Sequence, residues 1–239
     1  MLKRVLVTFE NLNEVEQLLN YSQILQNDFG AEVVGIYIKD IRKYEVVPPM
    51  AEGIIIDSTN GFAMREWELI EEKRAEEIKA LFREKIPYGQ FIIEEGIGLE
   101  RVIERMKAFD LLLVAKGEYI NSNLKTILKF HAKPVIIVPN TKVTDLDKVI
   151  LLDDNGIRAN AALFNFGKEE PLDEMVSEYY KLKNIEIERH FEDTIEKIKN
   201  YEKDYNLFVM GNLRYNFLLE RLTGKFGVKI LQNCNVPIF

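Results

Sequence analysis

Short apolar runs rich in β-branched residues alternate with amphipathic segments along most of this chain. Residues 4–9 form the first run, and residues 13–28 follow it with apolar side chains at helical spacing. Gly30 comes next, where a helix C-cap is expected. Short continuous apolar runs are typical of strands that are buried on both faces. Strands that alternate with helices predict βαβ units, and therefore an α/β fold with a mainly parallel sheet.

The same alternation continues through the first half of the chain. It predicts strands at 32–38, 91–93, 111–114 and 135–138, and helices over 64–85, 97–108 and 122–131. Residues 39–62 contain two prolines and two glycines, at Pro48, Pro49, Gly53 and Gly61. Proline and glycine interrupt regular structure, so we expect a long loop here, with a short extended piece at residues 54–56.

A second cycle begins after the polar junction at residues 140–145. The pattern of residues 4–11 returns at 148–155, but the second half is shorter by about one strand and the loop and helix after it. The predicted helices cover 157–166, 171–183 and 192–203, and the predicted strands cover 185–187, 207–210 and 236–239. The sequence therefore predicts two domains, residues 1–142 and 146–239, with a five-stranded sheet and a reduced four-stranded sheet.

Composition excludes several classes of partner. The 239 residues carry a net charge of -7 and no basic stripe, which disfavours nucleic acid and anionic membranes. The single cysteine, Cys234, excludes an internal disulfide and a multi-cysteine zinc site. Because the sequence shows no signal-peptide pattern and no apolar run of membrane-spanning length, we expect a cytoplasmic protein.

A spaced glycine pair follows the predicted strand at 207–210. Gly211 ends this strand, and Gly224-Lys225 precede a helical segment. Backbone N–H groups at a helix start bind phosphate, and glycine lets the phosphate come close. Two interpretations stay open for the pair: a phosphate site, or a tight strand–helix turn without a ligand. Asp154, at the end of the strand that begins this half, is interpreted as a ligand contact or as a helix cap.

The common catalytic and metal-binding signatures are absent from the sequence. It contains no Gly-x-Ser-x-Gly, no His-Glu-x-x-His and no complete phosphate-binding Gly-x4-Gly-Lys-Ser/Thr. His131 and His190 have no nucleophile motif beside them, and the acidic pair Asp153-Asp154 has no third ligand nearby in sequence. We therefore predict no catalytic residue and no metal site.

The order and spacing of these segments resemble the universal stress protein family in its tandem form, over nearly the whole chain. Domains of that family close with a strand that ends in glycine, a phosphate loop, a helix and a Pro-Val strand. Residues 133–139 match this closing Pro-Val strand well. Nucleotide-binding members carry Gly-x2-Gly-x9-Gly-Ser/Thr. In the second half this spacing falls on Gly211, Arg214, Gly224 and Lys225.

The resemblance implies two tandem doubly wound, mainly parallel sheets of the adenine nucleotide alpha hydrolase-like type. It also implies an intramolecular pseudo-dimer, with the strands at 135–138 and 236–239 adjacent, and ATP or AMP with magnesium as the ligand. The residues that would bind the nucleotide are Asp154, Gly211, Asn212, Arg214, Gly224 and Lys225. Arg214 replaces a glycine and Lys225 a hydroxyl residue, although both cations can bind phosphate oxygens.

The first half matches the nucleotide motif less well. Ala115 replaces the first glycine and the loop after it is about seven residues short, which predicts no phosphate cradle in this half. Glu10 is interpreted as a carboxylate near a helix start.

The resemblance implies a stress-response regulatory or adaptor protein, with weak ATPase activity at most. The alternative is a nucleotide-independent scaffold for protein partners, with a dead site. A nucleotide-dependent enzyme of this fold is a third class. It would need a Ser-Gly-Gly loop after the first strand, and neither half has one. The sequence leaves the protein partners and a homodimer open.

Overall fold

The computed structural model describes residues 3–45, 56–117, 122–130, 133–142, 148–153, 188–191, 195–210 and 226–239. The helices predicted over 157–166 and 171–183 and the strand predicted at 185–187 lie outside the described residues. Within these residues strands alternate with helices, so the predicted α/β class is confirmed.

The first half forms a five-stranded sheet, as predicted. Its strands are β1 (Arg4–Phe9), β2 (Glu32–Asp40), β3 (Gln90–Gly96), β4 (Leu111–Ala115) and β5 (Val135–Val138). Their order is β3-β2-β1-β4-β5, and every neighbouring pair is parallel. Val5, Leu6 and Val7 of the central strand are fully buried, because helices cover both faces of the sheet.

Helices flank this sheet on both sides. They are α1 (Val15–Phe29, after a 3-10 turn at Leu12–Glu14), α2 (Arg42–Glu45), α3 (Ile56–Lys85), α4 (Gly98–Met106) and α5 (Ser122–Phe130). α1 and α3 contribute to the hydrophobic cluster on one face, and α4 and α5 to the cluster on the other. Gly30 has the left-handed φ of 65° and its N–H bonds Gln26 O at 2.9 Å, so the predicted C-cap is confirmed.

The long loop predicted over residues 39–62 is wrong in its extent. β2 continues to Asp40, α2 follows directly, and α3 already begins at Ile56, so the predicted extended piece ends in a helix. Residues 56–63 include weak helix formers, but they extend a long helix rich in Glu, Lys and Arg. Adding residues to an existing helix is far easier than starting one, which explains the difference.

Close packing and a buried polar contact hold α3 against the sheet. A Cβ at Gly35 of β2 would lie 2.6 Å from the Phe91 ring and 2.9 Å from the Phe82 ring, so glycine allows this approach. The Tyr37 hydroxyl donates a hydrogen bond to Glu71 Oε2 at 2.7 Å, and Arg74 pairs with Glu71 Oε1 at 2.6 Å. Both sites fix α3 on the face opposite α4 and α5.

The second sheet has three described strands. These are β6 (Val149–Asp153), β7 (Glu188–Phe191) and β8 (Leu207–Met210), and the helices α6 (Ile195–Tyr201) and α7 (Phe226–Asn233) accompany them. The order is β7-β6-β8 and both pairs are parallel. β7 lies directly after the strand predicted at 185–187, at residues for which no element was predicted. The helix predicted over 192–203 is confirmed in part, since α6 covers Ile195–Tyr201.

The last residues of the chain join the two sheets. Ile238 is paired antiparallel with Ile137 of β5 and parallel with Phe208 of β8. The Ile137 N–H donates to Ile238 O at 2.8 Å, and the Ile238 N–H donates to Ile137 O at 3.1 Å. The predicted adjacency of residues 135–138 and 236–239 is therefore confirmed. The domain boundaries themselves stay a prediction.

Candidate functional site

The strand order of the first sheet creates a cleft at its carboxyl edge. The connection after β1 leads to β2 on one side, while β4 lies on the other side of β1. In open α/β sheets, ligands bind where the strand order reverses in this way. Polar side chains at the ends of these strands are therefore the first place to look for function.

A small cleft lies at this edge, between the ends of β1 and β2 and the helices α4 and α5. Its floor is apolar and its rim is polar, and the rim side chains are Thr8, Glu10, Asp40, Lys43 and Asn123. The space open to the centres of water molecules is about 40 Å³, which is room for about three waters. In this form the cleft accommodates a small polar group rather than a whole nucleotide.

Glu10 lies at the carboxyl end of β1 and lines the cleft. Burial raises the pKa of the Glu10 carboxyl, and the nearby Lys43 ammonium opposes this shift. Glu10 makes no hydrogen bond to another described residue. The 3-10 turn that follows has Asn11 as its N-cap, so Glu10 lies one residue before the cap, near a helix start. A half-buried carboxylate at this edge can accept hydrogen bonds from a ligand.

Asp40 ends β2 beside Glu10 and is held by a bidentate arginine. Its carboxylate accepts hydrogen bonds from Arg42 Nε at 3.0 Å and Arg42 Nη2 at 2.5 Å, and from the Arg42 backbone N–H at 3.1 Å. These bonds hold the pKa of the Asp40 carboxyl below its ordinary value. Arg42 Nη2 also reaches Asn123 Oδ1 of α5 at 3.5 Å, so the pair bridges the rim of the cleft.

Asp40 also faces the first residue of α4. A Cβ at Gly98 would lie 2.9 Å from Asp40 Oδ2, so glycine lets the carboxylate approach the helix start. The Gly98 backbone N–H donates to Asp40 and contributes to its low pKa. Since Asp40 already occupies this helix N-terminus, the same N–H is not free for a phosphate.

The residue directly after β4 contacts the C-terminal segment of the chain. Ala115 ends β4, and the Lys116 ammonium donates a hydrogen bond to the Cys234 carbonyl at 2.7 Å. Burial lowers the pKa of Lys116. Gly117 follows with a φ of 70°, which allows the chain to turn. The cation nearest the end of β4 is thus committed to the C-terminal segment.

None of the six residues predicted to bind a nucleotide lies among the described residues; they are Asp154, Gly211, Asn212, Arg214, Gly224 and Lys225. The two strands that lead to them are described. β6 ends at Asp153 and β8 ends at Met210, and these strands are parallel neighbours with Leu152 opposite Met210. The residues directly before Asp154 and Gly211 therefore lie at one edge of the second sheet.

Sequence reasoning missed the polar rim of the first-half cleft. Asp40, Arg42, Lys43 and Asn123 come from segments assigned to a loop or to the polar side of a helix. The available signal was their place at the carboxyl end of a predicted strand or beside a helix start. Within the described ranges, no group of three His, Cys, Asp or Glu side chains could hold a metal ion, and no helix is long and apolar enough to cross a membrane.

No protein-family model matches the sequence, and no curated protein matches it. Solved structures do. A universal stress protein from Archaeoglobus fulgidus DSM 4304 superposes with a TM-score of 0.59 at 16% identity, over 98% of this chain and 94% of that one. A protein of unknown function from Pseudomonas aeruginosa PAO1 gives 0.53 at 10% identity, over 99% and 91%. A candidate universal stress protein from Pseudomonas aeruginosa UCBPP-PA14 gives 0.50 at 11%, over 99% and 92%.

At these identities the likeness is one of fold. The chain adopts the fold of universal stress proteins, with mainly parallel sheets and helices on both faces. The similarity extends over nearly the full length of both chains.

Proposed function

We propose that this chain is a regulatory protein of the universal stress protein type that binds an adenine nucleotide, ATP or AMP, in its second half. The observation that carries the proposal is the pairing of β6 with β8, which brings the residues just before Asp154 and Gly211 to one sheet edge. Open α/β sheets bind ligands at this edge, and the glycine pair supplies the residue type that a phosphate needs.

Each site residue has a role in this proposal. The Asp154 carboxylate accepts hydrogen bonds from the base or the sugar. Backbone N–H groups from Gly211 to Gly224 bind the phosphates, and Arg214 and Lys225 add charge-assisted bonds. Magnesium accompanies ATP through the phosphate oxygens, and slow hydrolysis is the limit of the chemistry.

Calorimetric titration with ATP or AMP in the presence of magnesium tests the proposal. We expect micromolar binding by the wild type and loss of the heat in Gly224→Val, because a branched side chain blocks the close approach of phosphate. Glu10→Gln is the matched control, since it changes the first-half cleft and leaves the second half intact. Binding that disappears in Glu10→Gln and persists in Gly224→Val would place the nucleotide in the first half and contradict the proposal.

A second candidate is a nucleotide-independent scaffold for protein partners. The contact between Lys116 and the Cys234 carbonyl favours it, because the cation that directly follows β4 is then bound to the C-terminal segment and not to a phosphate. The small volume of the first-half cleft also favours this candidate, because a whole nucleotide does not fit there. In this case neither nucleotide gives heat, and a partner recovered by pull-down is retained at the same level with and without ATP.

A further inference from the structure

The outer face of α3 carries a stripe of exposed residues that is charged at its centre and has apolar side chains on either side of that centre. Leu69, Ile70 and Leu81 have 72%, 51% and 42% of their surface exposed, and Ala80 is also exposed. Single exposed apolar residues are normal, whereas these four form two small apolar groups, Leu69-Ile70 and Ala80-Leu81, on either side of a charged centre. Between them lies an exposed Lys73, followed one turn later by Glu77.

Six exposed residues on this face have the spacing of the facing positions of a heptad, and two of them, Ile70 and Ala80, are apolar. Glu66, Ile70, Lys73, Glu77, Ala80 and Glu84 are separated by alternating steps of four and three, all are exposed, and Leu69 and Leu81 flank them. The opposite side of the same helix contacts the core through Ala75, Ile78 and Phe82. A repeat of this period keeps one stripe of a helix facing a partner helix over several turns.

The four inner layers of the stripe are complementary to themselves in the antiparallel direction, whereas the outermost layers bring Glu66 of one copy opposite Glu84 of the other. When two copies of α3 lie antiparallel about a two-fold axis near position 75, Ile70 meets Ala80 of the second copy and Lys73 meets Glu77 of the second copy. Each layer occurs twice because the interface is isologous. The two central layers are then reciprocal ion pairs, and the two layers outside them are apolar, with Leu69 and Leu81 beside them.

The two charged side chains at the centre of the stripe, Lys73 and Glu77, form no salt bridge to another described residue. Neighbouring charges on α3 are paired within the chain, Arg74 with Glu71 at 2.6 Å and Lys79 with Glu76 at 2.7 Å. Glu77 does lie close enough to Arg74 to raise the pKa of that guanidinium. Lys73 and Glu77 are therefore available to a second chain.

The outer sheet edge of β5 is not available for the same purpose. Ile238 of the same chain already pairs with Ile137 there. A second copy must therefore use another surface, and the α3 face is a patch with matched charge.

We propose that two copies of this chain associate through the outer faces of α3, packed antiparallel about a two-fold axis near position 75. The contact runs from Glu66 to Glu84, which is about 27 Å of helix. One helix pair of this length is a small interface with acidic ends, so the dimer is transient, with a dissociation constant on the order of tens of micromolar. The inference stands independently of nucleotide binding.

Charge reversal tests the pairing directly. Lys73→Glu places like charges in both central layers, and so does Glu77→Lys, so each variant alone is expected to weaken the dimer at least about tenfold. A one-to-one mixture of the two variants restores opposite charges in both layers. Lys107→Glu is the matched control, because it makes the same charge change at the end of α4, on the other side of the sheet.

Sedimentation velocity from about 5 to 500 µM spans the expected dissociation constant. We expect the wild type and Lys107→Glu to approach twice the monomer mass, each charge-reversed variant to stay near the monomer, and their mixture to recover the dimer. Circular dichroism confirms that each variant is folded, and Ile70→Asp gives a second disruption without charge reversal at Lys73. A monomeric wild type at the highest concentration overturns the proposal, and so do single variants that dimerise normally or a mixture that fails to recover.

Discussion

Replacing Ile238 tests how strongly the last residues of the chain hold the two sheets together. Ile238 is 4% exposed and pairs with β5 on one side and β8 on the other. Truncating a buried isoleucine to alanine costs about 2–5 kcal/mol, from lost burial and the cavity that remains. Ile238→Ala is therefore expected to lower the free energy of unfolding by about this amount.

Ile238→Pro separates the backbone contribution from the side chain. Proline has no N–H, so the 3.1 Å bond to Ile137 O is lost and a carbonyl in the seam is left without its partner. An unsatisfied buried group costs about 1–3 kcal/mol. Ile238→Pro should thus be less stable than Ile238→Ala by at least about 1 kcal/mol.

Urea unfolding followed by circular dichroism measures both changes. For a chain of this size each kcal/mol also lowers the melting temperature by about 2–4 °C. Ile103→Ala, at a half-buried position on α4, is the matched control and should cost less than Ile238→Ala because less buried area is lost. If Ile238→Pro and Ile238→Ala unfold at the wild-type midpoint, the pairing of Ile238 with β5 does not hold the sheets together.

Three further changes test contacts elsewhere in the molecule. Tyr37→Phe leaves Glu71 without its 2.7 Å hydrogen bond and should lower stability by about 1–2 kcal/mol in urea, and an unchanged midpoint would contradict this. Burial raises the pKa of Glu10 above 4.5, so the folded state disfavours its ionised form. The wild type should therefore lose stability relative to Glu10→Gln as the pH rises from about 4 towards 7, whereas a pH-independent difference would refute the burial. Lys116→Met removes the bond to the Cys234 carbonyl and should cost about 1–2 kcal/mol, measured against wild type by thermal melting; equal melting temperatures would show that the contact is not formed.

The strands of the first half could be predicted because parallel strands buried on both faces read as continuous apolar runs. β7 shows where this signal stops. Among the described strands it lies at the end of the order β7-β6-β8, and its sequence Glu-Arg-His-Phe carries charged residues. Edge strands tolerate charged residues, so the apolar pattern that located β1 and β4 was absent.

The first-half cleft could not be predicted from local pattern. Asp40, Arg42 and Asn123 meet only because the strand order places the end of β2 next to the start of α4 and α5. Sequence reasoning located the strand ends but not which of them are neighbours. The spacing of Gly211 and Gly224 is a local signal in the sequence. It therefore predicted a site in the second half instead.

The most direct test of nucleotide binding is calorimetric titration of the whole chain with ATP and AMP in magnesium, beside Gly224→Val and Glu10→Gln. We expect micromolar binding by the wild type and by Glu10→Gln, and no heat in Gly224→Val. Absence of heat in the wild type for both nucleotides would contradict this expectation.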